Sequence, residues 1–231
     1  MLAGLLLLAA APAAAQIDAF ATPDDCVAGW KQSPIRLEPP LLPDTEPPRV
    51  SYGVIQNAYA FNTGLTVQVN VPEPAPRLWL GGTEYKLLEF HFHHPQEHQI
   101  GNESRGQVEV HLVHSSEGHG EAVIATFVNA TGQSNGDWTT LLDRLPTAGD
   151  TVRDLRLDLN AMFNLGDLAQ ERIYRYDGSL TTPPFCEGVT FLVRDRPITW
   201  SQAQYSQLTA RTPQLRRLLM PRHGRPIYRR N

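Results

Sequence analysis

The chain has 231 residues, with 20 Lys+Arg against 24 Asp+Glu for a formal net charge of −4, and 41% of its residues are hydrophobic. This is ordinary globular composition, which excludes wholesale disorder, and the mildly acidic balance leaves no basic footprint for nucleic acid. Cys26 and Cys186 are the only cysteines of the sequence, so four-cysteine zinc ribbons and iron–sulfur clusters are excluded as well. Six of the eight histidines fall between His91 and His114, and a functional reading has to explain that crowding.

At the N-terminus, Met1–Ala15 (MLAGLLLLAAAPAAA) is apolar but shorter than the roughly 20 residues a membrane-spanning helix needs. Its leucine run and its Ala13-Ala14-Ala15 end predict a cleaved export signal over 1–15 and a single domain over 16–231; the alternative is an N-terminal membrane anchor. Export, to a periplasmic or secreted location, gives the cysteines an oxidising compartment and predicts a Cys26–Cys186 disulfide; the alternative is two unpaired buried thiols.

Residues 37–48 (LEPPLLPDTEPP) and the run holding Pro72, Pro74 and Pro76 read as loops. Beyond them, apolar residues recur with period two. Leu65/Val67/Val69, Leu78/Leu80, Phe90/Phe92, Val108/Val110/Leu112, Val123/Ala125/Phe127 and Val189/Phe191/Val193 each predict a half-buried strand. Helical signals are few: one near Trp138–Leu145, and one over Gln202–Leu208 behind Ser201 as N-cap. The chain reads as mostly β (α+β), a single sheet-dominated domain with a few short helices, and the pattern leaves the strand order open.

Taken as a strand, Leu87–His93 puts Leu88, Phe90 and Phe92 on one face and Glu89, His91 and His93 on the other. Gln107–Val113 likewise separates Glu109, His111 and Val113 from Val108, Val110 and Leu112. Between them, His94–Gly106 holds two glycines and an asparagine, enough to turn the chain and pair the strands antiparallel. His91, His93 and His111 then converge, and three neutral imidazoles with a fourth position open are the ligand set of a catalytic zinc site. Glu89 and Glu109, each two residues from a histidine on its own face, are placed to hold the second ring nitrogens of His91 and His111. The competing reading is an exposed polar strand face.

The run FHFHHPQEH…EVHLVH (Phe90–His114) resembles the zinc-binding region of the α-class carbonic anhydrases, in their exported bacterial form. QSPI (Gln32–Ile35), AFN (Ala60–Asn62) and GSLTTPP (Gly178–Pro184) match further motifs of that family, in the same order. The resemblance implies a large twisted, mainly antiparallel sheet with short peripheral helices and one Zn2+ per chain. It implies reversible hydration of carbon dioxide to bicarbonate and a proton, through attack by a zinc-bound hydroxide. By the same resemblance His91, His93 and His111 are the zinc ligands, with Glu109 behind His111. Thr181 is the threonine that hydrogen-bonds Glu97, and Thr182 contacts bicarbonate. Val113, Val123, Leu180 and Phe191 form the apolar wall for carbon dioxide, while Ser33, His98 and Tyr176 form a supporting hydrogen-bond network. The implied partner is the small-molecule substrate, with no nucleic acid and no membrane in the mature form; an oligomer is left open.

The chain also departs from that pattern. Tyr59 stands where fast members carry a proton-shuttling histidine, and a phenol with pKa near 10 is a poor relay at neutral pH. Glu89 replaces a usual glutamine, Gln96 stands where serine is common, and the turn between Glu97 and Glu109 is one residue longer. Cys186 falls one residue later than the usual cysteine. Two rival readings follow from other classes. One is a carbonic-anhydrase-like non-catalytic binding module, whose signature would be a replaced ligand. The other is a cupin-type metal enzyme using His91, His93 and Glu97, for which the flanking glycines are misplaced.

Overall fold

Phe90 and Phe92 alternate along one strand and Val108, Val110 and Leu112 along its neighbour, and none is more than 1% exposed. Period two therefore reports a sheet with one fully covered face, as the sequence predicts. The structure is a computed structural model that describes residues 29–166 and 168–230. The predicted signal over 1–15 and Cys26 lie outside the described residues.

Nine strands of four or more residues are described: β1 (Val54–Asn62), β2 (Val67–Asn70), β3 (Arg77–Leu80), β4 (Thr83–His93), β5 (Val108–Ser116), β6 (Gly120–Asn129), β7 (Thr151–Asp158), β8 (Ile173–Ser179) and β9 (Glu187–Arg194). They lie side by side in the order β7-β1-β2-β4-β5-β6-β9-β8, with β3 paired to the start of β4. Neighbours are antiparallel except β6 and β9, which run parallel from Glu121 opposite Val189 to Ala125 opposite Val193. A mainly antiparallel sheet is thus the architecture, with a parallel seam inside it.

The covered face carries the larger core. Three short helices pack there: α1 (Gly136–Leu142), α2 (Leu159–Phe163) and α3 (Gln202–Thr209). Trp138 anchors them, its ring 4.9 Å from that of Trp200 and 5.0 Å from that of Phe163. Asn135 caps α1, and Ser201 caps α3 in a reciprocal pairing with Gln204, as its sequence position predicts. The opposite face buries a smaller cluster that includes Val113, Val123, Phe191 and Tyr176.

Register fixes what lines that second face. One row across the sheet reads Tyr59, Asn70, Glu89, Val113, Val123, Phe191, Tyr176, each residue directly opposite the next. The adjoining row reads Gln68, His91, His111, Ala125 and Val193. Side chains opposite one another share a face, so the register stacks an apolar row against a histidine row.

Three expectations shift. A bulge between Leu87 and Glu89 turns Leu88 outward, 45% exposed, and puts Leu87 into the core at 0%. Leu65 is 55% exposed because β2 begins only at Val67. The predicted Trp138–Leu145 helix is α1, which ends earlier, at Leu142.

His114 lies on the covered face, where its Nδ1–H donates to the Ala122 carbonyl at 3.0 Å and its Nε2 accepts from the Tyr52 hydroxyl. Burial pulls its pKa from 6.5 down to about 4. The unfolded chain therefore takes up this proton first as pH falls, and the fold loses stability between pH 6.5 and about 4. The contribution lost is on the order of 3 kcal/mol. Urea unfolding across that window is expected to show a flatter acid limb for His114→Gln than for the wild type; parallel limbs would contradict the assignment.

Candidate metal centre

β4 and β5 pair so that His91 faces His111 and His93 faces Glu109. The bulge upstream leaves this stretch in strict alternation, and that delivers His91, His93 and His111 to one spot. Ligand atoms of the three imidazoles all lie within 4.8 Å of one another, and His91 Nε2 is 3.0 Å from His93 Nε2. Tetrahedral zinc with Zn–N of about 2.0–2.1 Å calls for nitrogens about 3.3 Å apart.

The tautomers make the same point. His91 Nδ1 donates to Glu89 at 2.8 Å, and His111 Nε2 donates to Glu109 Oε1 at 2.9 Å. The lone pairs of His91 Nε2 and His111 Nδ1 are thereby left for a metal. His93 Nδ1 lies 3.3 Å from Glu97 Oε1 without a regular hydrogen bond, and its Nε2 faces His91 Nε2. Two lone pairs facing each other at such a distance repel unless a cation takes both, so the donor set fits a zinc-type ion.

Electrostatics hold two of these imidazoles neutral, the form that binds metal. Burial drives His93 well below the ordinary histidine range and His111 down to about 4. At His91 burial also pulls downward, but the charge and hydrogen bond of Glu89 outweigh it and the net shift is upward. Glu109 is 0% exposed, and burial alone would raise its pKa; His98 and His111 instead hold it well below the carboxylate range. Its Oε1 accepts from His98 Nδ1 at 2.6 Å as well as from His111, and its Oε2 accepts the N–H groups of Glu97 and His98, both at 2.8 Å.

Glu97 is the contrasting carboxyl. Burial and the neighbouring charge of Glu109 push its pKa up to about 8, opposed by the Thr181 side chain and the Arg217 N–H, which bonds Oε1 at 2.7 Å. Its Oε2 is buried without a regular hydrogen bond. A dication among the imidazoles acts the other way and favours its charged form. Glu97 is not among the converging donors, so the cupin arrangement of His91, His93 and Glu97 does not form.

The distant motifs meet here. The Ser33 hydroxyl of QSPI accepts from Tyr176 Oη at 2.8 Å and from the Ser179 N–H at 3.1 Å, and His98 Nε2 joins Tyr176 Oη at 2.6 Å. Gly178 is required for this approach, since a Cβ there would stand 2.0 Å from Ser33 Oγ. Thr181, which follows on this loop, is 7% exposed, and Thr182 is half-buried. Val113, Val123 and Phe191 are buried in one cluster, with Leu180 packed against it. His94 points away from the imidazoles and bonds Thr212 Oγ1 at 2.9 Å. Asn62 of AFN anchors loops by donating to the carbonyls of Pro146 and Arg211.

Tyr59 lies two strands from Glu89 in the same row, under the Arg153 guanidinium at 5.5 Å. Two residues of this region are given no role by the sequence. Glu121, opposite Val189 at the edge of the apolar wall, has its pKa pushed up to about 7 by burial and by Glu89. Its place two residues before Val123 on a strand is the available signal. Gln96, in the turn beside Glu97, stands out in the sequence only as a departure from the family pattern.

The profile of the family described as eukaryotic-type carbonic anhydrase matches residues 19–229. The chain belongs to the α-carbonic anhydrase family. A carbonic anhydrase of Neisseria gonorrhoeae is 35% identical over 186 residues, covering 80% of this chain and 71% of that protein. One from Nostoc sp. is 33% identical over 211 residues, covering 87% and 76%. The solved α-carbonic anhydrase of Photobacterium profundum superposes with a TM-score of 0.80 at 32% identity, over 90% of this chain and 93% of that one. The protein is accordingly a carbonic anhydrase, an enzyme of reversible carbon dioxide hydration, in a family that depends on zinc.

Glu89 has a measurable consequence in such an enzyme. If His91 ligates the metal, this carboxylate would make it a more basic donor and leave the metal less able to acidify water. Glu89→Gln is expected to shift the pH midpoint of hydration downward; an unchanged profile would contradict this role.

Proposed function

We propose that His91, His93 and His111 hold one zinc ion per chain, and that Thr181 and Glu97 orient the reacting oxygen beside an apolar wall of Val113, Val123, Leu180 and Phe191. The observation that carries this reading is the convergence of three ring nitrogens, two of whose imidazoles are fixed from behind by Glu89 and Glu109. Carbonic anhydrase is the standard case in which bound zinc lowers the pKa of a water molecule to about 7 and so supplies a nucleophile at neutral pH.

The chain's own residues do the rest. Glu97 accepts the Thr181 proton, which leaves the threonine oxygen as an acceptor toward the reacting oxygen and selects a ligand there that can donate. The apolar wall excludes water and suits carbon dioxide, which offers no donors to satisfy. Thr182, beside Thr181 and half-buried, contacts bicarbonate as it forms or leaves. Glu89 and Glu109 keep the imidazole rings in the required tautomer. Tyr59 supplies no relay at neutral pH, so the proton leaves to solvent buffer.

The same proposal covers the ends of the chain. Residues 1–15 are an export signal and 16–231 the catalytic domain, in the periplasm or secreted; the apolar run ending in three alanines supports this. Among the described residues no helix is long and apolar enough to cross a membrane. Cys26 pairs with Cys186, which ties the segment before QSPI to the loop after Thr181 and Thr182.

Stopped-flow hydration of carbon dioxide across a series of imidazole concentrations tests the reading. Wild-type turnover is expected to rise with imidazole, and Thr181→Ala to lose about 100-fold in kcat/KM. A buffer-independent wild type would refute export to buffer, and an undamaged Thr181→Ala would refute the threonine's role.

A further inference from the structure

The turn joining β4 to β5 carries Glu97 and His98, and one buried amide organises it. Gln96 is 6% exposed. Its Oε1 accepts from Ser104 Oγ at 3.0 Å and from the N–H groups of Arg105 and Gly106 at 2.8 and 2.6 Å. Its Nε2 donates to the His98 carbonyl at 2.7 Å. The outgoing strand of the turn, 96–98, is thus tied to the returning one, 104–106, through a single side chain.

The residues so tied face Glu109. The N–H groups of Glu97 and His98 both reach Glu109 Oε2, and the other oxygen of that carboxylate takes the Nε2–H of His111. A continuous set of hydrogen bonds therefore runs from Gln96 through the Glu97–His98 backbone and Glu109 to a predicted zinc ligand. Only an amide satisfies both ends. Three donors converge on one atom and an acceptor faces the other, so a carboxylate would set an oxygen against the His98 carbonyl. A methyl group would strip three donors of their acceptor in a part-buried turn.

We infer that Gln96 is a positioning residue of the metal centre: it sets the two amides that hold Glu109 and, through Glu109, the aim of His111. This rests on the zinc reading above. Ser104 and Arg105 enter only as partners of Gln96, and nothing in the chemistry of hydration touches them.

The test follows zinc release from the loaded, full-length protein into a chelator, together with the pH midpoint of hydration and the Tm. Losing a group that orients a metal ligand costs about 10–100-fold in affinity, and Gln96→Ala and Gln96→Glu are expected at about the lower end, releasing zinc about tenfold faster. Their pH midpoint is expected to move downward as His111 becomes a weaker donor. Ser104→Ala, which removes one of three donors on an exposed side chain, is expected to release zinc about twofold faster. Leu141→Ala, in the core of the opposite face, serves as a control that lowers the Tm and leaves zinc release alone.

Gln96 variants that behave like Leu141→Ala, with lower Tm but wild-type zinc release and pH midpoint, would overturn the inference. If Gln96→Ala does not fold, Ser104→Ala decides, and wild-type zinc release in that variant overturns it equally. A wild-type protein that holds no zinc would instead overturn the reading of the site, and this inference with it.

Discussion

The buried carboxylate of Glu109 is the interaction on which the centre depends. It is fully desolvated and survives as a charge because four donors converge on it, two from backbone amides and two from imidazoles. Removing one partner of a buried charged network costs about 3–5 kcal/mol, so each donor constrains the others strongly. The carboxylate reaches the turn through Glu97 and His98, the histidine row through His111, and Tyr176 and Ser33 through the far side of His98. A single group thereby ties the β4–β5 turn, the strand of His111, β8 and the QSPI segment into one geometry.

The sheet supplies what the carboxylate cannot. Strand pairing stacks His91 and His111 beside Val113, Val123 and Phe191, so a polar donor set and an apolar row adjoin on one sheet face. An apolar electrophile and a nucleophile that needs polar orientation require neighbouring environments of opposite character. Both sit on strands packed on their far face by Trp138, Trp200 and Phe163.

Much of this was legible in the sequence because period two is unambiguous wherever one face is buried. His91 and His93 against Phe90 and Phe92, and Glu109 and His111 against Val108 and Val110, declare their faces directly. Alternation fails where the chain inserts a residue. Leu88 is such a case, and β1 and β7 are others. Asn57 and Asp154 adopt left-handed backbone with φ of 58° and 56°, and the pairing of those strands shifts there, so their buried residues do not alternate. No local pattern shows that Ser33 approaches Gly178, or that Gln96 spans its turn. Those contacts link residues far apart or within an irregular loop, and only the resemblance to the family placed the QSPI and GSLTTPP motifs together.

On the proposed reading, the imidazoles of His91, His93 and His111 carry the zinc on which hydration depends. Metal analysis of the purified protein, paired with a carbon dioxide hydration trace before chelation, after chelation and after zinc is returned, tests it most directly. One zinc per chain is expected, with hydration that disappears with the metal and recovers when one equivalent is restored. Undiminished hydration by the fully metal-free protein would contradict it.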